Sequence, residues 1–238
     1  LPAISESKQT AIIDMVMDVA PAAYLSGSPL YPLLIATAVQ RSIQYGNAER
    51  SAHSYASYGM LMCYIAKAIE VGVAYGQLAQ RLLSKVKTPL AKPDTLVVTG
   101  MFLIHRSQHI KASVSVLKQA YSAGVEIGNL EAIGYAAAVV CSNAYWCAQP
   151  LEDLAQEISV YAKELKKLKL LATANWCRIY QQSILNLLST AAADLPTDSQ
   201  TDSQTKQPHI LSGEAFSEAH FLSELQAGQD LIALYFFY

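Results

Sequence analysis

Charge is scarce in this chain. Of its 238 residues, 17 are Lys or Arg and 19 are Asp or Glu, a formal net charge of −2. No stripe gathers the cations that a phosphate backbone requires, so nucleic acid is excluded as a partner. The one basic run, Lys163–Lys169, closes a predicted helix, where it complements the dipole. Long hydrophobic runs are missing as well. A membrane span needs ~20 apolar residues; Leu96–Ile104 is too short, and Leu130–Cys147 is interrupted by Glu131, Ser142 and Asn143. No signal peptide opens the sequence. The four cysteines, Cys63, Cys141, Cys147 and Cys177, form no C-x-x-C pair. They are expected as buried structural thiols in a reducing, cytosolic compartment, in preference to zinc or redox chemistry.

Aliphatic residues and alanine dominate. Hydrophobic residues make up 52% of the chain and the mean hydropathy is +0.21, high for a protein without a span. Helices buried on more than one side of a repeat array account for it. The stretch Ala120–Tyr145 carries the pattern most clearly. Ile110, Val114, Leu117, Tyr121 and Val125 follow one helical face, and so do Leu130, Ile133, Ala137, Cys141 and Tyr145. Gly128 suits the positive φ of a helix end, and Asn129 can cap the following helix. Two amphipathic helices with almost no loop must fold back on each other. The word Gly46-Asn47-Ala48-Glu49 matches Gly128-Asn129-Leu130-Glu131 at an offset of 82 residues. That is two periods of about 41, within the range of helix–turn–helix repeats.

The remaining helices are expected in order. Ile12, Ile13, Val16 and Val19 mark the first, over 6–20, limited or kinked by Pro21. Ser28 caps the second, with Pro29 at its start and Leu30, Leu33, Leu34, Ala38 and Ile43 inward. A long helix over 48–68 contains Gly59, whose use is close approach of a neighbour. The next, over 70–86, turns Val73, Leu78, Leu82 and Leu83 inward. Leu96–Thr99 has strand-like composition, but a lone strand has no partner, so 94–107 is taken as helix. Helices follow over 110–127, 130–147, 151–168 and 171–190. The polar tract 194–209, with Thr197-Asp198-Ser199-Gln200 repeated at once, is a low-complexity loop or insertion. Helical pattern returns at 213–226 and 229–238. The fold class is therefore all-α, an α-α superhelix of about eleven antiparallel helices. The array spans 1–193, and 210–238 is its last, truncated pair. Both ends of the chain look like cuts within a longer polypeptide.

No catalytic constellation emerges. There is no phosphate-binding loop, nucleophile elbow or H-E-x-x-H; Gly72 and Gly76 lack a preceding strand. His105 and His109 have metal-ligand spacing but no third ligand, and Arg106 opposes a cation. His53 and Glu49 form an i, i+4 surface pair. No cofactor or metal is expected. A solenoid still offers a groove lined by the first helix of each pair, and Arg50, His53, Ser54 and Ser57 are its candidates.

Six words stand in one order: SPLYPLLIATAVQRSIQYGNAERSAHSYASYG (28–59), AYGQLAQRLLSKV (74–86), AYSAGVEIGNLEAIGYA (120–136), LEDLAQEISVYAKELKKL (151–168), IYQQSILNLL (179–188) and LSGEAFSE (211–218). Together they resemble the tetratricopeptide-like helical region of large bacterial hybrids that join a serine/threonine kinase, an AAA/STAND ATPase, a GAF domain and a histidine kinase. The chain departs from that family at Ala68-Ile69-Glu70, where an acidic Gly-Asp turn is usual, and in the Thr-Asp-Ser-Gln tract. The family's catalytic motifs are absent, so no catalytic residue carries over. The resemblance implies a cytoplasmic spacer and regulator between ATPase and histidine kinase. Its partners would be the flanking kinase and ATPase domains and a peptide, protein or small-molecule inducer. A ligand- or peptide-sensing groove is the alternative, and an all-α metal-assisted enzyme the third.

Overall fold

A computed structural model describes residues 1–85, 89–193, 210–217 and 221, with side chains omitted at 190–193. Among the described residues the chain is helical, with nine α-helices and no strand longer than an isolated bridge. They are α1 Ser7–Leu25, α2 Leu30–Tyr45, α3 Ser51–Tyr64, α4 Ile69–Leu83, α5 Lys92–Val98, α6 Lys111–Ile127, α7 Leu130–Trp146, α8 Leu151–Lys167 and α9 Leu171–Ala193. The odd-numbered helices begin at residues 7, 51, 92, 130 and 171, so successive starts are 44, 41, 38 and 41 residues apart. The chain divides into two compact units, Leu1–Ala136 and Ala137–Tyr238.

In the first unit, consecutive helices pack as neighbours, and α3 also packs on α5. The interface is made from small residues. A Cβ on Gly59 would lie 2.7 Å from the carbonyl oxygen of Gly72, and a Cβ on Gly72 would lie 2.6 Å from that of Gly59. The expected close approach at Gly59 is thus to α4. The buried residues of α4 are Gly72, Gly76 and Ala79. Leu78, expected inward, is exposed, and Val73, Leu82 and Leu83 are half-buried. A narrow face of glycine and alanine lets the backbones meet and pushes the larger side chains to its flanks.

The same offset recurs in α1 and α2. Ile13, Met17 and Ala20 form a buried cluster with Ile35, Ala38, Ala48 and Leu61. Val19, Leu30, Leu33 and Ile43 are exposed instead. Helix α1 does not stop at Pro21 but runs through it to Leu25. Proline removes one hydrogen bond and costs about 3 kcal/mol in a helix interior. Burial of Met17, Ala20 and Ala23 on either side offsets that cost.

The two Gly-Asn words do different work. Gly128 adopts the left-handed conformation (φ 73°), and the Asn129 carboxamide oxygen accepts from Ala132 N–H at 3.0 Å, as a cap should. At Gly46 (φ 106°) a Cβ would meet the Pro2 carbonyl at 2.9 Å. There the N-terminal residues pair with the loop: Asn47 N–H donates to Pro2 O, and Ile4 N–H to Asn47 O. Helix α3 consequently starts at Ser51, whose hydroxyl accepts from Ala48 N–H.

The strand-like segment is helical, as the lack of a partner requires. Helix α5 continues as a π-helical turn, Thr99–Leu103, and a 3₁₀ turn, Ile104–Arg106. Thr95 and Thr99 hydroxyls donate to carbonyls four residues back, which satisfies them inside the core. In the second unit α8 packs on α9; Leu154, Ile158 and Leu165 of α8 and Ile179 and Ile184 of α9 are buried. Cys141 and Cys177 are fully buried with sulfurs 3.6 Å apart. Cys63 is buried too, and Cys147 only partly. Residues 213–217 do not begin a helix: Ser212 and Ser217 form an antiparallel bridge, and Gly213 N–H donates to Phe216 O. The tract 194–209 and nearly all of the last expected pair lie outside the described residues.

Candidate interaction surface

The odd-numbered helices of the first unit bring their polar residues together. Arg50, just before α3, reaches back to α1: its guanidinium bonds the Asp18 carboxylate and lies 4.0 Å from that of Asp14. His53, one turn into α3, feels the charges of Asp94 on α5 and of Arg50. Asp94 in turn accepts from the Asn129 carboxamide at 2.8 Å. Asn129 therefore caps α7 with its oxygen and ties α7 to α5 with its nitrogen. Glu131 follows on α7, and its carboxyl is raised by desolvation first and by Asp94 second. Asp14 is raised by desolvation, an effect that Arg50 opposes and that Asp18 and Glu49 reinforce.

Of the four groove candidates, Arg50 and His53 belong to this row. Ser54 and Ser57 do not: both are buried, Ser54 donating to Ser51 O at 2.9 Å and Ser57 bonded to the phenol of Tyr31. Burial pushes that phenol up to about 12, despite the hydroxyl beside it. On α3 a Ser at every third position runs along the face packed on neighbouring helices, so small size decides its place. The expected pairing of His53 with Glu49 is replaced as well. Glu49 accepts from Leu90 N–H at 3.2 Å, and the carboxylate acting on His53 is Asp94. Desolvation is nevertheless the largest influence on His53; it lowers the proton affinity and favours the neutral ring.

Asp14, Asp18, Asp94, Asn129 and Glu131 were not legible as one set. They stand far apart in sequence, and only the word Gly-Asn-x-Glu marked part of it. The row is predominantly acidic, with Arg50 already engaged by two carboxylates. It is suited to a partner's cation or hydrogen-bond donor.

His105 and His109 do not converge. His105 lies in the 3₁₀ turn, with its proton affinity lowered by burial and by Arg106, while His109 Nδ1 accepts from Lys111 N–H. Arg106 stacks on the Tyr64 ring at 4.5 Å. Among the described residues no group of three His, Cys, Asp or Glu is placed to hold a metal ion. No described helix is long and apolar enough to cross a membrane.

Comparison with known proteins gives a distant relation. The chain is 24% identical over 153 residues to hybrid signal transduction histidine kinase G of Dictyostelium discoideum. The match covers 62% of this chain but 4% of that protein. It points to a signal-transduction context. No family model matches the chain, and no solved structure matches it.

Proposed function

We propose that this chain is a non-catalytic helical-repeat module of a multidomain signal-transduction kinase. It would be a tetratricopeptide-like array in the cytoplasm that joins ATPase and histidine kinase parts and regulates their exchange of signal. The observation that carries this proposal is the similarity to a hybrid histidine kinase of which the match covers 4%. A match of that extent is what a spacer within a very large polypeptide would give. The near-41-residue spacing of the odd-helix starts supports the repeat, since helix–turn–helix repeats have periods in that range.

The polar row on α1, α3, α5 and α7 is the regulatory contact in this proposal. Its test uses the full reading frame that encodes the chain. Phosphotransfer from ATP would be followed in the intact polypeptide and in one carrying Arg50→Ala with Asp94→Ala. A several-fold change in phosphorylation rate is expected, with helical content retained. Unchanged phosphotransfer in a folded variant, or a reading frame without kinase motifs, refutes the proposal.

A further inference from the structure

Helix α9 buries an unusual row. Arg178, Gln182 and Asn186 stand four residues apart, on one face of the helix. Gln182 and Asn186 are among the buried polar residues, at 3% and 9% exposure. Their hydrogen bonds go to the main chain of residues 210–217. The Gln182 carboxamide oxygen accepts from Ala215 N–H at 3.0 Å and from Phe216 N–H at 3.2 Å. Its nitrogen donates to Asn186 Oδ1 at 2.8 Å, and Asn186 Nδ2 donates to Ile210 O at 2.8 Å. Arg178 Nε donates to Ala215 O at 2.6 Å, and its guanidinium lies over the Phe221 ring.

Such an arrangement reads backbone. Amide side chains match the alternating donors and acceptors of a non-helical peptide, whatever its side chains are. Selectivity then falls on the few positions that are enclosed. Phe216 is 1% exposed and Ala215 8%. Gly213 sits where a Cβ would run into the Gln182 carboxamide. Glu214 is exposed and makes no demand. The pattern read is glycine, any residue, a small residue, then an aromatic one.

We propose that the Arg178–Gln182–Asn186 row is a peptide-binding site, held in this chain by its own residues 210–217 and open to a partner protein's peptide with the same glycine–x–small–aromatic pattern. This deepens the proposed role as an interaction module and rests on it for the identity of the partner as a signalling protein. The site itself is tested on this chain alone, so its failure is separate from failure of the kinase context.

The probe is a fluorescein-labelled synthetic peptide with the sequence of residues 208–221, its binding read by anisotropy. The full chain carrying Gly213→Leu, whose added side chain meets the Gln182 carboxamide and loosens the chain's own segment, should bind the probe at least ten-fold tighter than the unmodified chain does. Adding Gln182→Ala should weaken that binding at least ten-fold. Replacing the probe's Phe216 by Ala should do the same, whereas replacing its Glu214 by Gln should change nothing. No binding to a folded Gly213→Leu chain, or binding indifferent to Gln182, overturns the proposal. Where that variant fails to fold, a protease site placed within 197–204 of the otherwise unmodified chain decides instead. After cleavage the probe should exchange with the released piece, and failure to exchange overturns the proposal. A dimer of the unmodified chain formed by trading 210–217 between copies, seen by light scattering, would also overturn assignment of the site to a foreign peptide.

Discussion

Replacing Gly59 by alanine ought to stabilise a helix and here should do the opposite. In a helix interior Ala is favoured over Gly by about 1 kcal/mol. At Gly59 the added Cβ would lie 2.7 Å from the Gly72 carbonyl oxygen, where ordinary contact begins at 3.4 Å, a shortfall of about 0.7 Å. Tyr75 Cβ and a Leu103 methyl close the other sides at 3.2 and 3.3 Å. The nearest obstacle is backbone, so no rotamer change relieves it, and α4 must retreat from α3. Overpacking of this kind costs about 1–3 kcal/mol. The larger part of that range applies because the clash is with main chain, leaving a net loss of about 1–2 kcal/mol. For a unit of this size that corresponds to roughly 3–5 °C in Tm per kcal/mol.

The assay is urea and thermal unfolding followed by circular dichroism at 222 nm. Ala74→Gly, on the exposed side of the same α4, gives the bare propensity cost in this context. Gly72→Ala adds a second arm. Its Cβ would run into the Cys63 sulfur as well as the Gly59 carbonyl. Cys63→Ala should therefore rescue part of the Gly72→Ala loss and none of the Gly59→Ala loss. If Gly59→Ala unfolds at the same or higher denaturant concentration than the parent, the backbone contact between α3 and α4 is refuted.

Further outcomes follow from the sites described. His53 has its folded-state proton affinity lowered, chiefly by desolvation. Below the unfolded pKa of about 6.5 the unfolded chain therefore binds more protons. His53 contributes no pH slope above that value. As pH falls through it, stability declines by at most ~1.4 kcal/mol per pH unit, and His105 acts in the same direction. Asp14 and Glu131, raised instead, oppose this only as their own carboxyls protonate at lower pH. His53→Gln should flatten the decline in urea midpoint between pH 7 and 5.5, and an unchanged slope would dismiss the assignment. Asn129→Ala removes both the cap on α7 and the bond to Asp94, and should cost about 1–2 kcal/mol by the same unfolding assay. Thiol titration of the folded chain should modify Cys147 well before Cys63, Cys141 and Cys177, which are buried; rapid labelling of all four would contradict that burial.

Much of the helix order was legible because periodicity and turn chemistry act locally. Gly128 and Asn129 could be assigned from conformation and capping alone, and the starts of α7 and α9 were expected where they occur. The inward face was less legible. Size is a poor guide to burial in α2 and α4: Leu33, Ile43 and Leu78, expected inward from the pattern, are exposed. Helices that meet backbone to backbone reverse that guide. The contact needs Gly72, Gly76 and Ala79 at its centre, and leucines can only border it. Ser54 and Ser57 are buried for the same reason, since a serine that bonds a nearby carbonyl or phenol occupies little more room than alanine.

The polar groups were the hardest to foresee, because their roles depend on which distant segment the fold delivers to them. Asn129 carried a local signal for its oxygen and none for its nitrogen, which finds Asp94 thirty-five residues away. Gln182 and Asn186 had no local signal at all. In the sequence they lie between Ile179 and Leu187, amid an apolar helical pattern. Their burial goes with residues 210–217: the Ala215 and Phe216 N–H groups and the Ile210 carbonyl bond to them and would otherwise lose these partners against α9. An apolar side chain at position 182 would leave two buried N–H groups unsatisfied, at about 1–3 kcal/mol each. That requirement couples the two choices. Where a chain lays non-helical backbone across a helix, the helix must present amides, and the amides in turn mark where such backbone can lie.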